Sequence, residues 1–484
     1  MFDDYVYDMS GAAFNNAMLL VDYGIDGLEL YDGAFTRCGF TVVRWADDLS
    51  FRIEWEEQVK SGAHLAVIAR PDDYVPYDLA TLMQRYDVAL GPLFPELDEG
   101  MLRETQGLDL DFLAVAYARD VLTMLDADET RAYLSKRVFC KETAQEVCGG
   151  LCSRLVQLVS HACSFRDWIG VAELKARIDV TAARYGFDCE TNALVDGAFR
   201  DFMLSRFGSL GGEIDDETPV LVSGAMEYMA HRSDRFAIVV MDGMSEFDWR
   251  VFRTSFDDIE YWQSGAFAMV PTITCISRQC LLANKFPRQL ENPWSQHKEE
   301  KEFRACAQGL GFDKERIAYL RGYDAPLPWG CDVAAYIVLD VDERVHGQYG
   351  GRPGMLQDME LLARSGKLAE LVRRLTKAGM DVYISADHGN TPCVGRGRAT
   401  QTGVETETRG KRLLVVNDLA DVEDIRDKYG LIEFPSTFLD KRYRYLLCHS
   451  DVSFDNPGKK VMSHGGISID EVIVPFICVR AVHA

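Results

Sequence analysis

No stretch of eighteen apolar residues occurs anywhere in the 484-residue chain, so no membrane-spanning helix is expected. Basic side chains are scarce: 52 Lys and Arg stand against 76 Asp and Glu, a formal net charge of −24. Such a surface repels nucleic acid on average, and tight nonspecific binding to long DNA is not expected without a partner. It still leaves room for a local cationic site whose charge comes from bound metal. The amino terminus, Met1-Phe-Asp-Asp-Tyr5, has acids where a secretory signal has a basic region, so secretion is not expected. Paired cysteine spacing is missing too. Thirteen cysteines, an odd number, are scattered, and Cys140, Cys148 and Cys152 sit at helix-like separations that suit a packed face better than a zinc knuckle. Reduced thiols and no leader make the cytoplasm the expected compartment. Internal repeats and low-complexity segments are absent.

Hydrophobic content of 47% and aromatic content of 11% fit a globular protein with a large core, and the length suggests two or three domains. Residues 1–125 read as a small α/β domain. Gly39–Arg44 and His64–Ala69 look like strands, with Leu49–Lys60 as the crossover helix of a βαβ unit and Val88–Pro92 as a third strand. No Gly-rich phosphate loop follows any of them. Residues 126–232 read as helical, including Glu142–Val159 and a last helix over Pro219–Ala230, and the isolated His161 and His231 read as structural. Residues 233–484 alternate apolar strands with helical patterns. A single amphipathic helix is expected over Leu361–Lys377, then a long polar loop from Asp387 through Arg396, Arg398 and Arg409 to Leu413, and a closing strand over Val472–Val479.

Three apolar runs of this last region end in carboxylates. Phe236–Met241 stops at Asp242-Gly243, Tyr336–Asp342 is followed by His346, and Val382–Asp387 runs straight into His388. Continuous apolar runs suit strands buried on both faces, and ligands of open α/β sheets bind beyond such strand ends. A fourth segment, Ser463-His464-Gly-Gly, adds an imidazole. Three carboxylates (Asp242, Asp342, Asp387) and three imidazoles (His346, His388, His464) suit two divalent ions, with zinc favoured and manganese or iron compatible. Asp342 and His346 are one helical turn apart and can face one ion. Any one of these signals alone is a common turn; three of only nine histidines falling in these places make the set informative.

A nucleophile is expected at Pro271-Thr-Ile-Thr-Cys-Ile-Ser-Arg278, which reads as a turn into a helix start. Thr272, Thr274, Cys275 and Ser277 cluster there, where free backbone amides welcome an anion. A threonine alkoxide would be a competent nucleophile towards phosphorus, and Arg278, one turn beyond Thr274, could grip a phosphate oxygen. The plainer reading is that the hydroxyls cap the helix.

These residues resemble the alkaline phosphatase superfamily and, within it, the PglZ domain. Pro271-Thr-Ile-Thr274 is similar to the nucleophile segment of the nucleotide pyrophosphatase/phosphodiesterase branch, in which the fourth residue of Pro-x-x-Thr attacks phosphorus and coordinates a metal. The resemblance implies that Asp242, Thr274, Asp387 and His388 hold one zinc and that Asp342, His346 and His464 hold the other. The run His464-Gly-Gly-Ile-Ser-Ile-Asp-Glu-Val-Ile-Val-Pro475 is the part most specific to PglZ. The likeness covers about 230–484, and more weakly Pro76-Tyr-Asp78 and Leu93-Phe-Pro-Glu-Leu97 resemble the front regions of PglZ proteins from bacteriophage-exclusion (BREX) systems. Sulfatases differ, because Cys275-Ile-Ser-Arg278 lacks their proline and has its arginine one position early. Cofactor-independent phosphoglycerate mutases differ in using serine and an inserted domain. Many phosphodiesterases of the superfamily carry an Asn shortly after the nucleophile, where this chain has Arg278.

The expectation is therefore an alkaline-phosphatase-like α/β fold. It would be a two-metal (Zn2+, alternatively Mn2+) phosphodiesterase with Thr274 as nucleophile, acting on nucleotide or oligonucleotide phosphodiesters. The resemblance sets it in anti-phage defence, with protein partners from that system and no membrane. The rival readings are a metal-binding scaffold subunit of a defence or signalling complex, and a phosphomonoesterase.

Overall fold

The computed structural model describes residues 1–25, 28–399, 404–405, 411–417 and 421–482. They fall into two units, Met1–Gly150 and Leu151–Ala484. In the first, strands β1 (Ala17–Asp22), β2 (Thr41–Arg44), β3 (Leu65–Ala69) and β4 (Gln84–Val88) form a parallel sheet in the order β2-β3-β1-β4. Thr41 pairs with Leu65 in parallel, and the helices Asp48–Glu54 and Glu56–Lys60 cross between the two strands, which is the expected βαβ unit. Leu19, Val21, Phe51, Leu65 and Val67 pack the core on one side of it. The third strand ends at Val88, where it had been expected to begin, and Leu90–Leu93 is a helical turn. Gln84-Arg-Tyr-Asp87 is polar and half exposed, as an edge strand allows, so its strand character came from pairing with β1 rather than from its own apolar pattern.

The second unit begins its strands with β5 (Phe236–Met241), β6 (Trp262–Phe267), β7 (Ile317–Arg321), β8 (Val333–Val338) and β9 (Asp381–Ser385), of which β6 and β7 each have an exposed end. A small sheet follows from β10 (Thr391–Gly395), and another comprises β11 (Val404–Glu405), β12 (Leu413–Asn417), β13 (Ile432–Phe434) and β14 (Tyr443–Leu447). The short β15 (Val452–Ser453) and β16 (Lys460–Ser463) join β10, and β17 (Ile473–Val479) closes the chain's main sheet. That sheet runs β6-β17-β9-β5-β8-β7, with β7, β8, β5 and β9 parallel and β17 antiparallel to both neighbours. All six residues of β5 and all six of β8 are buried, as continuous Val/Ile/Ala runs demand. The three strands that precede the candidate ligands, β9, β5 and β8, are therefore side by side at the centre of the sheet.

Several expectations are corrected here. Asp342 does not lie at a strand end: β8 stops at Val338, and Asp342 stands in the first turn of the helix Asp340–Gly347. Leu361–Lys377 is two helices, Gly351–Arg364 and Lys367–Lys377, because Gly366 takes a left-handed conformation (φ 68°) between them. Over Pro219–Ala230 only Ala225–Ala230 is α-helical, since the Val220 carbonyl is drawn into a bond with the Phe267 amide on the edge of β6. The polar loop after Asp387 contains β10, whose partner β16 lies about seventy residues away, too far for local pattern to reveal. Arg409 lies outside the described residues.

Candidate metal centre

The strand β5 ends in a turn, Asp242-Gly243, that sets the first carboxylate. Gly243 has φ +77°, and a Cβ there would lie 3.3 Å from that of Asp342. Its amide donates to Asp387 Oδ1 at 3.2 Å, so the ends of β5 and β9 are bonded directly to each other. Asn390 Nδ2 adds a second tie, donating to the Gly243 carbonyl at 2.9 Å and to Asp248 Oδ2 at 2.6 Å. Asp248 itself is held by the amide and hydroxyl of Ser245, in the capping box that starts the helix Glu246–Phe252.

Two groups of three side chains result. Asp242, Asp387 and His388, all buried, have ligand atoms within 4.8 Å of one another, and so do Asp342, His346 and His464. His388 Nε2 lies 3.9 Å from Asp242 Oδ1 and 3.7 Å from Asp387 Oδ2. In the second group His346 Nε2 is 3.2 Å from Asp342 Oδ2, and His464 Nε2 is 3.5 Å from Asp342 Oδ1. The groups adjoin: the His388 and His464 rings stack with centroids 4.2 Å apart. Each of these two rings turns Nδ1 to a backbone carbonyl, His388 to Gly389 (3.0 Å) and His464 to Thr272 (2.9 Å). A carbonyl only accepts, so Nδ1 carries the proton and Nε2 presents a lone pair, as metal-bound imidazoles require.

The donor set fits divalent cations. Among the described residues, Asp242 Oδ1, Asp387 Oδ2 and Asp342 Oδ1 are buried carboxylate oxygens without a hydrogen-bond partner, and each is turned towards its group's imidazole. Buried oxygens of this kind are uncommon unless an ion or water completes them. Burial and the neighbouring Asp387 push the Asp242 carboxyl well above the usual carboxylate range, with Arg278 opposing. Burial raises Asp387 to about 6, again against Arg278. Asp342 goes the other way, to about 2: burial raises it, but the His346 hydrogen bond, with the charge of the His464 and His388 imidazoles whenever these are protonated, outweighs burial. Burial and the nearby His388 lower His464 to about 3, which keeps its imidazole neutral and able to donate its lone pair.

The hydroxyls in and just before the helix Thr274–Ala283 separate by direction. Thr272 is buried, donates to the Gly466 carbonyl (2.9 Å) and accepts the Gly465 amide (3.0 Å), while Ser277 accepts the Met269 amide and donates to the Asp387 carbonyl. Both hold the scaffold. Thr274 Oγ1 lies 3.0 Å from His388 Nε2. The helix N-cap is Ile273, with no side-chain cap, so Thr274 does not cap the helix and its hydroxyl faces the site. Arg278 does not take the expected place. It is 2% exposed, its Nη1 donates to Asp242 Oδ2 and its Nε to Glu299 Oε2 at 2.9 Å, so it holds Asp242 instead of facing a phosphate.

Sequence reasoning passed over Asn390, Asp248, Glu299 and Glu471. Asn390 follows Asp387-His-Gly directly, and Asp248 completes a Ser-x-x-Asp capping pattern, so both had a local signal; Glu299 had none. Glu471 accepts the Gly466 and Ser468 amides and lies against the fully buried Arg412, fixing the turn after His464.

Residues 225–479 match the family model described as the BREX system PglZ alkaline phosphatase-like domain. No curated protein matches the chain. Among solved structures, a murine ectonucleotide pyrophosphatase/phosphodiesterase 5 is similar at 10% identity, over 51% of this chain and 88% of its own, with a TM-score of 0.38. Phosphonoacetate hydrolase from Sinorhizobium meliloti 1021, in complex with phosphonoformate, is similar at 12% identity, over 52% and 91%, with a TM-score of 0.32.

Proposed function

From the premise that the chain belongs to the PglZ family of alkaline-phosphatase-like domains, we propose that it is a metal-dependent phosphodiesterase that cleaves nucleotide or oligonucleotide phosphodiesters with Thr274 as nucleophile. The observation that carries this reading is the pair of adjoining three-residue groups, with unpartnered carboxylate oxygens, beside one hydroxyl that the scaffold does not use. Asp242, Asp387 and His388, with Thr274, would hold one divalent ion, and Asp342, His346 and His464 the other. Zinc suits the mixed oxygen and nitrogen donors, with manganese as the alternative. When bound, such a pair supplies Lewis-acid polarisation of the phosphoryl oxygens and a lowered pKa for a coordinated hydroxyl.

The chain's own groups divide the remaining work. Thr274 Oγ attacks phosphorus in line, forming a Thr–O–P bond as the bond to the leaving alcohol breaks, and water then cleaves the phosphothreonine ester. The amino-terminal turn of the helix Thr274–Ala283 points its amide dipoles at the incoming phosphoryl group. Arg278 and Glu299 fix Asp242, and Asn390 fixes the Gly243 turn. The BREX description of the family supports a setting in phage defence, with protein partners from that system. None of the thirteen cysteines is paired in a disulfide, which supports a reducing compartment such as the cytoplasm. Among the described residues no helix is long and apolar enough to cross a membrane.

The test is hydrolysis of bis(p-nitrophenyl) phosphate with zinc or manganese supplied, together with metal analysis. Wild type should hold two ions per chain and turn over. Thr274→Ala should keep both ions and lose at least about a thousandfold in kcat, as removal of a nucleophile does. Two bound ions without turnover would make the protein a scaffold. Faster turnover of p-nitrophenyl phosphate than of the diester would make it a phosphomonoesterase.

A further inference from the structure

Outside the two ligand groups, one cluster of largely buried charge joins four residues, Lys175, Asp179, Arg352 and Asp470. Lys175 is fully buried, and its Nζ lies 2.8 Å from Asp179 Oδ2 and 2.9 Å from both carboxylate oxygens of Asp470. Arg352 Nη2 reaches the same two carboxylates, Asp470 Oδ2 at 2.6 Å and Asp179 Oδ2 at 3.0 Å. Two cations and two carboxylates thus close a ring, with the Thr191 hydroxyl donating to Asp179. Hydrophobic residues of the same volume would pack this space without desolvating four charges, so stability alone does not account for the ring.

The ring meets the candidate site at one turn. The Asp470 carbonyl lies 2.0 Å from where a Cβ on Gly389 would sit, the Glu471 carbonyl accepts the Gly389 amide at 2.9 Å, and Thr391 Oγ1 donates to Asp470 Oδ2 at 3.3 Å. The Gly389 carbonyl is the acceptor that orients the His388 ring. An unbroken chain of contacts therefore runs from Lys175, on the helix Phe165–Tyr185, through Asp470 and Gly389 to the imidazole. Lys175 and Asp179 both precede residue 225, where the family match begins.

We propose that Lys175 and Asp179, with Asp470 and Arg352, are positioning residues that fix the His388 imidazole for metal coordination. The helix Phe165–Tyr185 is then part of the working site and not a linker ahead of it. This rests on the metal reading given above.

The experiment titrates the full-length, metal-stripped protein with Co2+ and follows its visible absorption bands, alongside kinetics on bis(p-nitrophenyl) phosphate and thermal melts. Lys175→Met should weaken one of the two cobalt-binding steps by about tenfold or more, as loss of supporting contacts behind a ligand does, and leave the other step unchanged. kcat should fall with little change in KM. Leu371→Ala, a core truncation in the helix Lys367–Lys377, reports what lost stability alone does and should leave both cobalt steps intact. Asp470→Asn keeps the side-chain volume and should reproduce the Lys175→Met pattern, and it is the decisive variant if Lys175→Met does not fold. Variants of the ring whose cobalt titration and kcat match Leu371→Ala at similar melting temperature would overturn the positioning role. A wild type that takes up no cobalt would overturn the metal reading itself, and the positioning role with it.

Discussion

Arg278 offers the sharpest test of how the structure assigns roles. Its guanidinium is 2% exposed and lies between Asp242 (3% exposed) and Glu299 (2%), so Arg278→Met would leave two buried carboxylates with no counter-charge. Removing one partner from a buried ionic arrangement costs roughly 3–5 kcal/mol, because the desolvated charges left behind are uncompensated. A unit of about 330 residues has an unfolding entropy of roughly 0.7 kcal/mol/K near its transition, so the expected fall in Tm is about 4–7 °C. Scanning calorimetry on the metal-free protein measures it. Adding Glu299→Gln should recover part of the loss, and zinc should narrow the gap between variant and wild type by giving Asp242 another cation. A phosphate-gripping arginine predicts the opposite pattern: unchanged Tm and a raised KM for the diester. A Tm within 1 °C of wild type, with only KM affected, would refute the structural assignment.

Two further substitutions probe the scaffold around the ligands. Burial raises the Asp248 carboxyl to about 6, against the bonds it accepts from Ser245 and Asn390. Its folded pKa lies above the unfolded value, so its favourable contribution is complete below about pH 4 and is lost as pH rises through 6. Asp248→Asn should therefore gain stability relative to wild type between pH 4 and pH 7, by up to about 3 kcal/mol, in urea melts at the two pH values; a constant difference would show that Asp248 does not titrate there. Gly389→Ala would drive a methyl group to 2.0 Å from the Asp470 carbonyl, and the backbone must move. Metal analysis should then find the ion at His388 lost or substoichiometric, and a variant with full metal content would show that the turn adapts.

The sequence by itself was enough to single out the second unit's candidate ligands. Apolar runs ending in Asp242 and Asp387 forced buried parallel strands, and in such sheets the loops after the strands form the site, so the carboxylates were legible before any coordinates. The four-residue spacing of Asp342 and His346 likewise needed only the period of a helix, although the helix, not β8, is what carries Asp342. The first unit's β1 gave less away, because a short Met-Leu-Leu-Val run is not distinctive until its neighbours are known, and the edge strand β4 has no apolar pattern of its own. Tertiary structure alone decided three things: that β9, β5 and β8 are neighbours, that Thr274 and not Thr272 or Ser277 faces His388, and that Arg278 is buried against Asp242. Periodicity along a chain reports which face of an element is apolar. Which element lies next to it, and which of several equivalent hydroxyls or cations is left over once the scaffold's hydrogen bonds are satisfied, depends on contacts between residues tens to hundreds of positions apart.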